Sequence, residues 1–301
     1  MPRLSVHMPA YNAAGTIRSA ATSVLRDLPP DSELVILDDG STDETRVVVE
    51  SITDPRIRLL SGAHEGVGRA SQSLLDQTDS ELVARMDSDD IWLRGRHAQQ
   101  VRALRSGSDA VFTTIVLWGT KILPRPNPPT GIDADSFPFH LLLGNPVAHS
   151  TMMARRSTVV AAGGYRPFRT TEDYDLFLRI ARSGARLRRL ALPGLAYRVH
   201  ANQTTASDEW RRSSWQNVDI ARAYSELAES ILGLPAQRIT TLAIDNTRSP
   251  EERLQSFRRF AEAFGKASAR LTPASRWSLR RKLAERSAWL ESRLTREGDE
   301  I

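Results

Sequence analysis

The sequence predicts an α/β protein, with a mostly parallel sheet flanked by helices and a helical C-terminal extension. Three observations carry this prediction. Short apolar runs alternate with stretches of helical periodicity through the first 120 residues. Polar clusters follow the first, second and fourth of those runs, the latter two rich in aspartate. Beyond about residue 208 the pattern is helical alone.

Each element follows in order. Leu4 to Met8 reads as a buried strand. Thr16 to Arg26 places Ile17, Ala20, Ala21, Val24 and Leu25 at helical spacing, and Pro29-Pro30 ends that helix. Leu34 to Leu37 is a second strand, and Thr42 or Asp43 can cap a helix running to about Ile52. Ile57 to Leu60, Leu82 to Met86 and Ala110 to Trp118 are further strands, with helices over Gly66 to Leu75 and Arg94 to Leu104 between them. Residues 121–136 are rich in proline and turn formers and read as a loop. Residues 137–200 mix short helices and strands. Helices are then expected over Trp210 to Leu232, Glu251 to Leu271 and Pro273 to Leu294.

Composition sets limits. The 301 residues are 40% apolar and 26% charged, ordinary for a globular protein. There is no cysteine, which excludes disulfides, zinc-thiolate sites, iron–sulfur clusters and thiol nucleophiles. The N-terminal residues hold no apolar stretch of signal-peptide length, and no run of 18 apolar residues occurs. A cytoplasmic location is expected. Net charge is +5, and residues 251–296 hold 12 basic and 5 acidic side chains. Lys121, Lys266 and Lys282 are the only lysines.

In parallel sheets ligands bind beyond the carboxyl ends of the strands, where the polar clusters lie. Asp87-x-Asp89-Asp90 can share a hard divalent cation that keeps positions open for water or phosphate. It also suits a solvated turn with Asp90 capping the next helix. Asp38-Asp39-Gly40-Ser41 can accept from a base or a ribose, or serve only as a turn. Tyr11 can stack on a planar base or merely flank its turn. Thr171-Glu172-Asp173 opens a helix, where acids are commonly dipole partners; one of them can instead act as a general base. Arg198 is a candidate diphosphate partner. His200 and His149 suit either a structural or a ligand role.

Together these blocks resemble the inverting family 2 glycosyltransferases of the GT-A fold, from about Leu4 to Ser207. SVHMPAYNAAGTI, LVILDDGSTDET, ARMDSDDIWL, STMMARRSTVVAAGGYRPF and TEDYDLFLRIARSG are similar to the family's five blocks and stand in the same order. The resemblance implies a GT-A domain over 1–207, with a nucleotide-sugar half to about 120 and an acceptor half over 121–207. Residues 208–301 form the extension. It implies that Pro9, Tyr11 and Asp39 hold the nucleoside, with Asp38 adjacent. Asp87 and Asp89 match the D-x-D, with Asp89 the preferred ligand of Mn²⁺ or Mg²⁺. Asp173 matches the base, Glu172 is its alternative, and His200 is a further metal or diphosphate contact.

The implied reaction moves one sugar from a nucleotide-diphosphate sugar, a UDP-sugar first, to a sugar or lipid-linked acceptor of cell-surface polysaccharide or glycoconjugate synthesis. Natural-product glycosylation and non-catalytic nucleotide-sugar binding are the alternatives, and no nucleic-acid partner is implied. The family's Ala-Arg-Asn is here Ala70-Ser71-Gln72, and Arg69 is the candidate replacement for the missing cation. Arg94 stands where proline is common. The Gln-x-x-Arg-Trp motif and membrane helices of processive synthases are absent, which points to single-sugar transfer. A sugar nucleotidyltransferase would need a glycine-rich, arginine-bearing loop after the first strand, and a dehydrogenase would need G-x-G-x-x-G there. Neither is present.

The tail offers two expectations. Leu254, Phe257, Ala261, Phe264 and Leu271 fall on one helical face, with Arg253, Arg258, Arg259, Lys266 and Arg270 on the rest. That pattern predicts a hairpin packed on the catalytic domain or on a second subunit in a homo-oligomer. The basic excess alternatively suits peripheral contact with the anionic inner face of the membrane.

Overall fold

The computed structural model describes residues 2–119, 122–200 and 214–298. Strands β1 (Leu4–Ala10), β2 (Ser32–Asp38), β3 (Ile57–Ser61) and β4 (Leu82–Arg85) pair in parallel in the order β3-β2-β1-β4. Leu34 and Ile36 of β2 face one core, with α1 (Ile17–Leu25), α2 (Thr45–Glu50) and α4 (Arg96–Arg105). Val35 and Leu37 face the other side, against Ala70 and Leu74 of α3 (Val67–Asp76). A strand covered on both faces reads as a continuous apolar run, as LVIL does.

Beyond β4 the sheet is mixed. It continues through β8 (Met153–Arg155), β6 (Ala110–Gly119), β9 (Leu187–Arg198) and β5 (Ile91–Trp92), with only β6 and β9 parallel. Residues 122–126, read from sequence as loop, form β7 (Ile122–Pro126), antiparallel to β6. Proline is tolerated on such an edge strand, so Pro124 and Pro126 concealed it. The helix after Asp90 starts two residues later than expected, because Ile91 and Trp92 pair with β9 first. Asp90 does not cap it. Asp27 does, accepting from the backbone N–H groups of Gly95 (2.7 Å) and His97 (3.0 Å).

Helices α5 (Phe137–Leu142), α6 (Arg156–Ala161) and α7 (Glu172–Arg182) cover the second half of the sheet. The C-terminal helices are α8 (Val218–Leu232), the unforeseen short α9 (Ile239–Leu242), α10 (Pro250–Ser268) and α11 (Pro273–Gly298). Ser249 and Glu252 form a reciprocal capping box that starts α10, with Pro250 in its first turn. The boundary at 207/208 and the expected helix start at Trp210 lie outside the described residues.

The C-terminal helices share one core with the second half of the sheet and its helices. Phe257, Phe260, Phe264, Leu279, Leu290 and Leu294 are buried in the same cluster as Phe139, Leu142 and Phe177. Phe139 meets Phe264 edge-on at 5.4 Å, and the Tyr224 hydroxyl donates to the Leu142 carbonyl at 2.9 Å. The apolar face is therefore packed on the catalytic domain. Arg253, expected on the outer face, is buried, with Nη1 3.4 Å from the Leu242 carbonyl. Among the described residues no helix is long and apolar enough to cross a membrane.

Candidate active site

A cleft of about 1520 Å³ opens at the carboxyl ends of β1, β2 and β4 and runs toward the C-terminal helices. Its walls carry unusual backbone. Asn12 (φ 48°), His64 (φ 57°) and Thr171 (φ 62°) are the positive-φ non-glycine residues described, and all three line it. Left-handed non-glycine residues, a β-branched threonine above all, persist where surrounding contacts enforce them. Asn12 shows how. Its N–H donates to Ser41 Oγ at 2.9 Å, and its Oδ1 accepts from the Thr42 N–H at 2.8 Å.

The first wall is acidic. Pro9, Tyr11 and Asp39 line it together. Tyr11 is 45% exposed, and its ring lies 4.2 Å from that of His64. Asp39 accepts from the N–H groups of Glu65 (3.2 Å) and Gly66 (3.1 Å), which leaves lone pairs on both oxygens for a ligand. Asp38 is not in the cleft. Side chains alternate along a strand, so it turns away from Asp39, and its Oδ1 accepts from the Ser41 N–H at 3.1 Å.

Arg69 is a second correction. It is exposed, pairs with Glu65 at 3.6 Å, and does not line the cleft, because the face of α3 turned inward carries Val67 and Ala70. An arginine of β4 lines the cleft there. Arg85 is buried, donates Nη1 to Ser71 Oγ at 2.6 Å and contacts Asp87 Oδ1 through Nε at 2.9 Å. Burial opposes its charge, but Asp87, with Tyr165 and Glu172 adding, leaves its pKa above the ordinary arginine value. Arg85 was missed in the sequence. The available signal was its place before Asp87, next in space to the serine that replaces the family's arginine.

Asp87, Asp89, Arg198 and His200 line the same end. His200 Nε2 is 3.0 Å from Asp89 Oδ2. Burial raises the Asp89 carboxyl above the usual range, Asp87 adds to this, and His200 opposes it. Arg198 lies over the Trp118 ring at 4.2 Å and donates Nε to the Asp89 carbonyl at 2.8 Å. Asp90 is buried behind them, accepting from the Arg198 N–H (2.8 Å) and Ser150 Oγ (3.0 Å), so it pins the motif in place.

The opposite wall holds the helix-opening acids, and it separates them. Glu172 is buried, with Oε1 3.3 Å from His149 Nδ1, and His149 Nε2 is 2.9 Å from the Tyr165 hydroxyl. This chain occupies Glu172 and gives His149 a positioning role. Asp173 is half-buried and accepts from Asn145 Nδ2 at 2.8 Å through Oδ2. Burial first, and then Glu172, push its carboxyl up to about 6. The turn before these acids is held by Gln72, whose Oε1 accepts from the Tyr165 N–H at 2.7 Å. Gly164, at φ +63°, has no room for a Cβ, which would fall 2.3 Å from that oxygen.

The chain is similar to known proteins in sequence and fold. Residues 5–163 match the family described as Glycosyl transferase family 2, more than half of the chain, and the chain belongs to that family. It is 36% identical over 99 residues to the UDP-Glc:alpha-D-GlcNAc-diphosphoundecaprenol beta-1,3-glucosyltransferase WfgD of Escherichia coli, a match covering 33% of this chain and 39% of that protein's length. It is 29% identical over 229 residues to the putative glycosyltransferase EpsE of Bacillus subtilis (strain 168), covering 71% of this chain and 77% of that one. The crystal structure of S. aureus TarS 1-349 in complex with UDP-GlcNAc has the same fold, with TM-score 0.63 at 16% identity over 99% of this chain and 92% of that one.

Proposed function

We propose that this protein is an inverting, metal-dependent glycosyltransferase. It moves one sugar from a UDP-sugar to a hydroxyl of a sugar or lipid-linked acceptor in cell-surface polysaccharide or glycoconjugate synthesis. The observation that carries this is Asp173, which lines the cleft, half-buried, with a carboxyl pushed up to about 6. A general base works best with a pKa near the operating pH. The cleft also exceeds the range of about 300–1,000 Å³ of single-ligand pockets, which leaves room for donor and acceptor together.

The roles follow from position. Tyr11 stacks on the base, and Asp39 accepts from the nucleoside. Arg85 and Arg198 meet the diphosphate. Asp87 and Asp89 would repel that diphosphate unless a cation intervened. Asp87 and Asp89 offer carboxylate oxygens, and among the described residues no group of three or more acidic or histidine side chains is arranged to hold a metal ion. This set fits Mn²⁺ or Mg²⁺ held on Asp89, with diphosphate and water completing the shell. Such an ion neutralises the leaving diphosphate. Asp173 takes the proton of the acceptor hydroxyl, whose oxygen attacks the anomeric carbon as its bond to the diphosphate breaks on the opposite side, so the configuration inverts.

An acceptor on a lipid places the enzyme peripherally at the inner face of the membrane. The solvent-facing Arg258, Arg259, Lys266, Arg270 and Arg280 supply the attraction, each worth about 1 kcal/mol near an anionic surface. The test is a screen of UDP-sugars with Mn²⁺, read by thermal stabilisation and by the anomeric configuration of the product. A donor at about 100 times its dissociation constant is expected to add about 2.7 kcal/mol. Stabilisation without hydrolysis or transfer to any acceptor would instead identify a binder.

A further inference from the structure

Three arginines stand on the cleft wall beyond Asp173 with no acid to neutralise them. Arg189 of β9 donates Nη1 to the Pro146 carbonyl at 2.6 Å and Nη2 to the Thr130 carbonyl at 3.1 Å. Arg238, just before α9, is buried; it donates Nη1 to the Ser214 carbonyl at 2.7 Å and lies over the Tyr174 ring at 5.4 Å. Arg286 of α11 donates Nε to the Leu143 carbonyl at 2.9 Å. All three line the cleft, and among the described residues none has an ion pair. Carbonyls orient a guanidinium without cancelling its charge, and buried charge is ordinarily paired.

The surroundings add to the positive potential. Burial lowers the Lys282 ammonium to about 8, with Arg286 and Arg189 contributing. Burial, then Lys282 and Arg189, lower His140 to about 3. The acids nearby are engaged. Asp133 accepts from Ser275 Oγ (2.6 Å) and the Ser136 N–H (2.8 Å), and the exposed Glu285 pairs with Arg281, a further arginine of the cleft rim, at 3.6 Å.

One short segment joins this cluster to the base. The Leu143 carbonyl accepts from Arg286, Asn145 donates to Asp173, and the Pro146 carbonyl accepts from Arg189. Arg238 covers Tyr174, the residue after Asp173. Gly144, at φ +123°, keeps the wall open; a Cβ there would stand 3.1 Å from Arg286 Nη2. Trp215 and Trp289, edge to face at 6.1 Å, line the cleft alongside and offer apolar surface to a sugar ring.

We propose that Arg189, Arg238 and Arg286 form an acceptor subsite that holds a phosphate or diphosphate carried by the acceptor, beside the hydroxyl that Asp173 deprotonates. This rests on the glycosyl-transfer reading above. Several guanidinium forks along one stretch of cleft wall suit the many oxygens of a phosphoryl group better than a single carboxylate. The C-terminal helices are then part of the substrate site, because they deliver Arg286 and Trp289.

The test is calorimetric binding to the full-length protein without donor, so its outcome does not depend on transfer being catalysed. The probes are a short-alkyl GlcNAc diphosphate, the matching GlcNAc alkyl glycoside, an alkyl glucuronide and an oligomeric sugar phosphodiester. The diphosphate is expected to bind at least about tenfold tighter than the glycoside. Arg286→Gln should erase that preference, and Arg286→Lys should restore part of it. An unchanged thermal shift with UDP checks that each variant is folded. Whichever of the diphosphate and the phosphodiester binds tighter identifies the source of the phosphoryl group. Equal binding of diphosphate and glycoside, glucuronide binding as tight as diphosphate, or a preference that survives both Arg286→Gln and Arg189→Gln would each overturn the proposal. Failure of transfer with every acceptor, with the preference intact, would sink the glycosyl-transfer reading alone.

Discussion

The two ends of the cleft are opposite in charge and in construction. The end proposed for the donor takes its acids from strand ends: Asp39 follows β2, and Asp87 and Asp89 follow β4. The acceptor end is basic, with arginines drawn from β9, the approach to α9, and α11. Backbone amides and buried side chains fix the first; helix packing fixes the second. If the strand-end acids receive a diphosphate as proposed, Arg85 and Arg198 alone must offset Asp39, Asp87 and Asp89 unless a metal cation joins them, whereas the basic end can meet an anion directly. The contrast predicts that the two ends fail differently when damaged.

The largest effect belongs to the donor end. Asp89→Ala should lower transfer by about 10³-fold, the several kcal/mol that a Lewis-acid cation contributes. EDTA should reproduce this with the wild-type protein. Full activity in the variant or in chelator would remove the asymmetry. Next comes the packing that supports the acceptor end. Phe264 is 1% exposed against Phe139, so Phe264→Ala should cost about 3–5 kcal/mol in chemical denaturation. Thermal stabilisation by UDP should persist while the variant is folded. A small loss would mean that α10 is only loosely tied to the catalytic domain. The smallest effect is expected at Arg69. Its exposed pair with Glu65 is worth little, so Arg69→Ala should change stability by no more than about 0.5 kcal/mol and leave UDP binding intact. A marked loss of UDP affinity would restore Arg69 to the site.

The same contrast governs what the sequence discloses. The donor end was legible because strand, turn and carboxylate are contiguous: Tyr11, Asp39, Asp87 and Asp89 each sit within a few residues of the strand that aims them. Asp38 and Arg69 were misplaced by one residue in a period. Asp38 falls on the opposite side of β2 from Asp39, and Arg69 falls beside the inward face of α3. β7 was hidden by the prolines that its edge position tolerates. The acceptor arginines were not legible at all, since Arg189, Arg238 and Arg286 share no local pattern and meet only through the core around Phe139 and Phe264. The apolar stripe of α10 was visible, but its partner was not, because periodicity shows which face is buried and not against what.

The measurement that bears most directly on the account is the pH–rate profile of transfer for the wild type, Asp173→Asn and Glu172→Gln, with UDP binding followed in parallel. Asp173 must be ionised to accept the proton. Its carboxyl is pushed up to about 6, so the wild-type rate should climb with pH through about 6 and level off above it. Asp173→Asn should lower the rate by about 10²–10⁴-fold, lose that limb and bind UDP as before. Glu172→Gln should keep the limb and move it to lower pH, because the Glu172 charge helps to raise the Asp173 carboxyl. An active Asp173→Asn beside an inactive Glu172→Gln would contradict the assignment of the base and the two-ended cleft built around it.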